Sequence, residues 1–193
     1  MIRVVAGRFR SRILKAPPGL TTRPTGARVR KALFDILQGE LEGARVADCF
    51  AGTGALGIEA LSRGAGHVDF FESEKHAAIA IRANIASLKI ERESALFVGA
   101  LPDVLRPGPA YDLVFLDPPW RKGFEAATVA RLGAVGRLKP SVRVVIERDT
   151  RDTAVDPAII ALGLELADQR VYGDTTLCIF AVPAKTTDEG AEP

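Results

Sequence analysis

A short glycine-rich segment between two apolar stretches is the feature that most constrains the fold of this 193-residue chain. Residues 46–57 read VADCFAGTGALG: an apolar run, then Gly52, Gly54 and Gly57 at G-x-G-x-x-G spacing, then the start of a helical pattern. This order predicts a buried strand of a parallel sheet, a tight turn and a helix. Such a turn brings backbone N–H groups and a helix N-terminus against a nucleotide-like ligand. Glycine is needed there because a side chain would collide with the turn or the ligand.

Two nucleotide-like ligands fit this segment, and a turn that binds nothing is the third interpretation. The glycine spacing matches the dinucleotide fingerprint. The loop D-x-F-x-G-x-G resembles more closely the loop that holds S-adenosylmethionine (SAM). Asp48 favours SAM, because a carboxylate beside the turn suits the cationic amino group of a methionine moiety. Glu72 lies 18 residues after Gly54, ends the next predicted strand, and is placed to accept hydrogen bonds from the ribose hydroxyls of either ligand.

Strands and helices alternate from residue 43 onward. The patterns predict strands at 45–50, 67–72, 94–98, 112–117 and 142–148, and helices at 55–64, 75–87, 101–105 and 123–134. Residues 164–172 and 175–182, joined by Gly173-Asp174, predict a β-hairpin. The predicted fold is therefore α/β: a doubly wound sheet closed by a C-terminal antiparallel hairpin. This arrangement resembles the Rossmann-like fold of class I SAM-dependent methyltransferases.

The N-terminal region has a different pattern. Residues 2–15 predict a β-hairpin or two short strands, and residues 16–24 are too rich in proline and glycine for regular structure. Thr25 is a suitable N-cap for a helix that runs to about Leu37, with Val29, Leu33 and Ile36 on its apolar face. The expected organisation is a basic extension at 1–42, a catalytic domain at 43–183 and a disordered tail at 184–193.

The charge of the chain is unevenly distributed. The first 31 residues hold 9 of the 26 basic residues and none of the 24 acidic ones, so the remainder carries a net charge of −7. A basic segment on an acidic body predicts a polyanionic partner, although a solvated surface is the simpler alternative. The basic residues of this segment are Arg3, Arg8, Arg10, Arg12, Lys15, Arg23, Arg28, Arg30 and Lys31.

A second motif, Asp117-Pro118-Pro119-Trp120, follows the fourth predicted strand of the alternating region. Ligands of doubly wound sheets gather at the carboxyl ends of the strands. Asp117 and the carbonyl of Pro118 are hydrogen-bond acceptors suited to an exocyclic amine, and Trp120 offers a flat face for stacking a nucleobase. An ordinary turn with a packing tryptophan is the alternative. Beside a SAM-type loop, the motif resembles the D/N-P-P-aromatic motif of amino-group methyltransferases.

Together these motifs resemble one family over nearly the whole chain, from Arg3 to about Val182. They are RVVAGRFRSRIL at 3–14, RPTGARVRKALFDIL at 23–37, DCFAGTGALGIEALSRGA at 48–65, FFES at 70–73 and DPPW at 117–120. The chain is similar to the RsmD family of bacterial 16S rRNA guanine-N2 methyltransferases. The resemblance implies SAM as methyl donor and a guanine of the small-subunit RNA as acceptor. An adenine or cytosine methyltransferase of DNA, an NAD-dependent protein and a non-catalytic RNA assembly factor are the alternatives.

The resemblance assigns roles to particular residues. Asp117, Pro118, Pro119 and Trp120 are the predicted catalytic residues. One departure concerns the third strand, where Gly99 stands in place of the acid that often contacts the adenine amino group. The predicted RNA-binding residues are Arg3, Arg8, Arg10, Arg12, Arg23, Arg28 and Arg30. The predicted cofactor-binding residues are Asp48, Phe50, Ala51, Gly52, Thr53, Gly54, Glu72, Ser73 and Ala100.

Composition limits the remaining possibilities. No apolar run approaches the roughly 20 residues that a membrane helix needs, and the N-terminus lacks the apolar stretch of a secretion signal. The only cysteines, Cys49 and Cys178, lie in apolar strands and are expected to be buried thiols, with no metal site. These features predict a cytoplasmic protein, and we expect a monomer. The family resemblance implies that it acts on 16S rRNA in the small subunit or its assembly intermediate.

Overall fold

A computed structural model describes residues 1–17, 26–119, 123–151 and 157–183. A small N-terminal sheet precedes a region in which strands and helices alternate, and an antiparallel hairpin ends the described chain. The elements are β1 (Ile2–Arg3), β2 (Ile13–Leu14), α1 (Ala27–Ile36), β3 (Arg45–Cys49), α2 (Ala55–Ser62), β4 (His67–Glu72), α3 (Lys75–Leu88), β5 (Ser94–Val98), β6 (Tyr111–Leu116), α4 (Phe124–Ala134), β7 (Leu138–Asp149), α5 (Pro157–Ala161), β8 (Glu165–Tyr172) and β9 (Thr175–Ala181).

The main sheet has seven strands in the order β5-β4-β3-β6-β7-β9-β8. The first five strands of this order are parallel, whereas β9 runs antiparallel to both β7 and β8. The chain therefore winds outward from β3 in one direction and then returns to the other side at β6. The predicted parallel sheet and its closing hairpin are both confirmed. The order reverses between β3 and β6, which is where doubly wound sheets bind their ligands.

Alternate residues of the strands face two separate hydrophobic layers, as expected for a sheet covered on both faces. One layer holds side chains of the N-terminal hairpin and of α1, α2 and α3, packed on residues such as Val46 and Phe70. The other layer holds α4 and α5, packed on residues such as Cys49 and Tyr111. Both cysteines are buried, as predicted. No helix in the described part of the chain is long and apolar enough to cross a membrane.

The predicted helix at 101–105 is wrong, because this segment forms turns. Its backbone makes a single helical turn: Val104 N–H donates to Ala100 O at 3.0 Å, and Leu105 N–H donates to Pro102 O at 3.1 Å. One turn of hydrogen bonds does not offset the entropy lost in starting a helix. Pro107 follows immediately and prevents extension.

Helix α1 is confirmed, but its buried face differs from the predicted one. Arg30, Leu33 and Phe34 are buried in the helix, whereas Val29 and Ile36 are only partly buried. The apolar pattern alone could not place an arginine on the inner face. The proposed N-cap Thr25, most of the irregular segment at 16–24 and the tail at 184–193 lie outside the described residues.

The N-terminal hairpin, predicted at 2–15, is confirmed by the antiparallel pairing of β1 with β2. It is fastened to α2 by buried polar contacts. The carboxylate of Glu59 accepts hydrogen bonds from the N–H groups of Val5 (2.7 Å) and Ala6 (2.9 Å). Ser62 Oγ accepts from Phe9 N–H at 2.9 Å. A Cβ on Gly7 would lie 1.8 Å from Ser62 O, so the backbone approaches α2 as closely as only glycine permits.

A second attachment joins the other end of the hairpin to α3. The side chain of Asn84 accepts from Lys15 N–H at 2.7 Å and donates to Lys15 O at 3.0 Å. The same amide donates to Thr53 O at 3.1 Å, in the glycine turn. The N-terminal hairpin is therefore held at both ends, and it runs from the carboxyl edge of the sheet, near Thr53, to the opposite edge, near Ser62.

Candidate active site

A cavity of about 880 Å³ opens at the carboxyl ends of β3, β4, β6 and β7. Each of these strands places a carboxylate in the cavity wall, at or near its carboxyl end. In the spatial order of the strands, these residues are Glu72, Asp48, Asp117 and Glu147. The cavity wall also includes part of α1 and the tip of the β8–β9 hairpin. The site is thus an anionic cavity at the point where the strand order reverses.

The glycine turn forms the floor of one half of the cavity. Phe50 and Gly52 both have left-handed backbone angles, with φ of 62° and 57°. Phenylalanine rarely adopts this conformation, and such strain is characteristic of ligand-binding loops. Phe50, Ala51, Gly52 and Thr53 line the cavity, and their predicted contact with a cofactor stays a prediction. Gly54 lies behind them at the N-cap of α2.

Gly57 explains how α2 packs against the sheet. A Cβ at this position would lie 2.4 Å from Cε1 of Phe70 and 3.0 Å from Oδ2 of Asp48. The third glycine of the motif therefore permits close helix–strand packing, as it does in dinucleotide-binding turns. It also brings its own N–H within 2.8 Å of Asp48 Oδ2, to which it donates.

Asp48 is fully buried at the base of the glycine turn. Burial raises the pKa of its carboxyl to about 7, and the nearby negative charge of Glu72 acts in the same direction. The hydrogen bond from Gly57 opposes this shift without cancelling it. A cationic ligand group in the cavity would stabilise the ionised form of Asp48.

Glu72 ends β4 and shapes the glycine turn. Its Oε2 accepts from Gly52 N–H and its Oε1 accepts from Glu74 N–H, both at 2.7 Å. Each carboxylate oxygen has a second lone pair that can accept a hydrogen bond from a ligand hydroxyl. Ser73 follows Glu72 in the cavity wall. Ala100 is exposed after β5 and does not belong to this wall, so its predicted contact with a cofactor stays a prediction.

Asp117, Pro118 and Pro119 form the wall after β6. Burial holds the pKa of Asp117 well above its ordinary value, and the charges of Glu147 and Asp48 raise it further. Strongly shifted carboxyl groups in a cavity are typical of functional sites. Trp120 lies outside the described residues, so its proposed stacking role stays a prediction.

Glu147 is a cavity residue that the sequence analysis missed. It lies within β7 and is 6% exposed, and Thr175 Oγ1 lies 3.4 Å from its Oε1. The hairpin tip that contains Thr175 is held in place by Thr150, whose N–H and hydroxyl donate to Asp174 O (3.0 Å) and Gly173 O (2.9 Å). The signal that could have found Glu147 is the rule that identified the other three acids, namely a carboxylate near the end of a parallel strand.

The predicted RNA-binding arginines fall into two groups. Arg28 is exposed and borders a groove that it shares with Val171 and Tyr172. Arg3 is exposed in the hairpin, where its guanidinium donates to Ser11 O. The hairpin carries Arg8, Arg10 and Arg12 to the opposite edge of the sheet, where Arg8 forms an ion pair with Glu93 and Arg12 donates to Ser87 O. Arg23 lies outside the described residues.

Arg30 differs from the other arginines because it is buried. It lines the cavity and donates to Arg3 O at 2.7 Å. Burial lowers the pKa of its guanidinium, while the charge of Glu59 opposes this shift. Its geometry assigns it a packing role between the hairpin, α1 and the cavity, and its proposed contact with RNA stays a prediction.

The strand order, the antiparallel last strand and the glycine turn define the class: the chain has the Rossmann-like fold of class I methyltransferases. The fold is shared with the ribosomal protein L11 methylase of Lactobacillus delbrueckii subsp. bulgaricus, with a TM-score of 0.72 at 18% identity, over 90% of this chain and 87% of that one. That similarity shows the fold alone.

The chain belongs to the RsmD family, whose match, under the description Conserved hypothetical protein 95, covers residues 2–181. It is 34% identical over 151 residues to the Ribosomal RNA small subunit methyltransferase D of Escherichia coli, covering 78% of this chain and 76% of that protein. The structure of Escherichia coli yhhF superimposes with a TM-score of 0.80 at 31% identity, over 95% of this chain and 99% of the other. The protein is therefore a methyltransferase.

Proposed function

We propose that this methyltransferase transfers the methyl group of SAM to the exocyclic N2 of a guanine in small-subunit (16S) rRNA. The proposal is supported by the presence of two motifs in one cavity. One is the glycine turn with Asp48 and Glu72, and the other is the Asp117-Pro118-Pro119 segment. The name of the Escherichia coli relative supports small-subunit rRNA as the acceptor. We further propose that the protein acts as a monomer in the cytoplasm, with residues 1–42 docking the RNA and 43–183 carrying the catalysis.

The residues of the glycine-turn half fit SAM. SAM carries a sulfonium and an ammonium group, and the strand ends alone supply four carboxylates to the cavity wall. Asp48 would hold the ammonium, and the remaining lone pairs of Glu72 would accept from the ribose hydroxyls. When bound, SAM supplies an activated methyl group that the guanine N2 accepts.

The other half of the cavity suits the acceptor. The N2 lone pair of guanine is delocalised into the ring, so the amine is a poor nucleophile. Asp117 and the Pro118 carbonyl would accept its N–H bonds, stabilise the positive charge that develops on N2, and hold it in line with the methyl group. Asp117 would then take up the released proton, which its raised pKa favours. The target base must leave its stack to reach this depth.

The test combines binding with product analysis. Calorimetric titrations with SAM, its demethylated product and NAD should show binding of the first two alone. Small-subunit RNA, free and as assembled particles, is then incubated with methyl-labelled SAM, and the modified nucleoside is identified by mass spectrometry. N2-methylguanosine at one position is the expected product. NAD binding without SAM binding, or methyl groups on adenine or cytosine only, would overturn the proposal.

The affinity for SAM should depend on pH through Asp48. Below pH 7 its carboxyl is protonated and neutral, so it cannot pair with the ammonium of SAM. We therefore expect SAM affinity to fall about 20-fold between about pH 7.5 and pH 5.5, measured by calorimetry. The Asp48→Asn variant should bind more weakly and show little pH dependence. 5′-Methylthioadenosine, which lacks the amino acid, should bind wild type equally at both pH values; a parallel fall for this ligand would contradict the assignment.

RNA affinity should depend on exposed arginines of the extension. Replacing Arg10, Arg12 and Arg28 with Gln should lower the slope of log affinity against log salt by about 2, because each lost phosphate contact contributes about 0.7 to 0.9. The matched control replaces Arg106, Arg131 and Lys139, three exposed basic residues near α4 and the start of β7. It removes the same charge from the opposite face of the sheet. Equal slopes for the two triple variants would assign the extension another role.

A further inference from the structure

The carboxylate of Glu147 has no assigned role in the proposed reaction, although it occupies the same cavity as Asp117. Strands β6 and β7 are parallel neighbours in which Leu116 lies opposite Ile146. The next residues along these strands, Asp117 and Glu147, therefore lie side by side in the cavity wall. The negative charge of Glu147 contributes to the raised pKa of Asp117, which agrees with this proximity.

The strand order separates the roles of the four carboxylates. Glu72 and Asp48 lie at the glycine turn, on one side of Asp117, whereas Glu147 lies on the other side. If SAM binds at the glycine turn, Glu147 faces the space left for the acceptor base. Thr175 is its neighbour there, with a hydroxyl 3.4 Å from Oε1 of Glu147. Tyr172 and Asp174 of the hairpin tip also line the cavity.

The chemistry of the nucleobases shows what a second carboxylate at this place can recognise. Guanine presents two adjacent donors on its Watson–Crick edge, N1–H and the N2 amine. Adenine and cytosine present an amine beside a ring nitrogen that only accepts. An ionised carboxylate only accepts hydrogen bonds, so it stabilises N1–H and repels a ring-nitrogen lone pair.

We propose that Glu147 is a specificity-determining residue that selects guanine by accepting its N1–H while Asp117 and the Pro118 carbonyl accept from N2. The inference rests on the proposed function and adds the group that excludes adenine and cytosine. It requires that Glu147, a residue distant from the glycine turn, controls the choice of base with little effect on SAM. Buried acceptors of this kind discriminate strongly, because an analogue that lacks the donor leaves them unsatisfied.

The test uses 2-aminopurine, which keeps the 2-amino group but has an unprotonated N1. The guanine that wild type methylates in small-subunit particles is first mapped. Particles are then reconstituted with RNA joined from two pieces, so that the mapped position carries guanine or 2-aminopurine. Wild type should prefer guanine by about 100-fold or more in kcat/KM, since its buried acceptor loses its donor in the analogue.

The Glu147→Gln variant should reduce this preference at least tenfold, because an amide can donate to the unprotonated N1 of 2-aminopurine. Its SAM affinity, measured by calorimetry, should stay within a few-fold of the wild-type value. This measurement checks that the variant is folded. Asp149→Asn is the matched control, since it removes a charge from the same strand outside the cavity, where Asp149 pairs with Arg151. It should retain the wild-type preference.

Three outcomes would count against the proposal, and they can be told apart. A wild-type protein that methylates no guanine in the particles overturns the proposed function together with this inference. If the wild-type protein methylates 2-aminopurine as fast as guanine, the inference about Glu147 is overturned while the proposed function stands. This comparison requires no variant. The inference is also overturned by a Glu147→Gln variant that binds SAM normally, loses activity on both bases equally and keeps the wild-type ratio.

Discussion

Replacing Asp117 with Ala should lower the turnover number about 100- to 1000-fold, the range measured when one preorganised charge-stabilising group is removed from an active site. The physical reason is that the guanine amine gains positive charge only as it accepts the methyl group. A carboxylate beside it therefore stabilises the transition state more than the ground state. The measurement is kcat for methyl transfer to small-subunit particles at saturating SAM.

The SAM affinity of the Asp117→Ala variant distinguishes a catalytic role from misfolding of the variant. Asp117 lies beyond Asp48 in the strand order, so Asp117→Ala should change the dissociation constant of SAM by only a few-fold. Asp117→Asn is the matched control: it keeps the size of the side chain and one acceptor oxygen, and its loss of turnover should be smaller. Turnover of Asp117→Ala within tenfold of wild type would remove Asp117 from the mechanism.

Replacing Glu59 with Ala should have the largest effect on stability. Its carboxylate is fully buried, accepts from Val5 and Ala6, and forms an ion pair with Arg63 at 2.9 Å. Removing it leaves the two backbone donors and the guanidinium of Arg63 without this acceptor group, and it removes a negative charge near Arg30. The expected loss is about 3–5 kcal/mol, the range for breaking a buried charged network. In a chain of this size it corresponds to a fall in Tm of about 10 °C.

Calorimetry and hydrogen exchange would check this result. The amides of Val5 and Ala6 should exchange much faster in Glu59→Ala, because the hairpin loses its attachment to α2. Arg63→Ala is the control, since it removes one partner of Glu59 but leaves both backbone hydrogen bonds in place, and its Tm should fall less. A Glu59→Ala protein that melts within about 2 °C of wild type would show that the hairpin is held by its apolar contacts.

The sequence predicted the parts of the site that depend on one strand at a time. Asp48, Glu72 and Asp117 each follow an apolar run, and the carboxyl ends of parallel strands necessarily meet at one edge. Glu147 was missed because it lies inside the strand predicted at 142–148, whereas Asp117 follows its strand and Glu72 ends its own. The resemblance to a known family did not supply it either.

The parts that could not be predicted depend on contacts between distant segments. Arg30 has the charge of a surface residue, and only the fold shows that Arg3 O and Glu59 surround it. The tip at Tyr172–Thr175 was expected as a hairpin turn, but its place in the cavity wall follows from the docking of Thr150 on Gly173 and Asp174. Neither contact has a local sequence signal.

The attachment of the hairpin to both α2 and α3 has a consequence for how the target is found. Its arginines at the far edge of the sheet stay at a constant distance from the cavity, because Glu59, Ser62 and Asn84 fix the strand between them. On the proposed function, this fixed distance would select the guanine that stands at the matching separation from a phosphate docked on these arginines, and it would exclude nearby guanines at other separations.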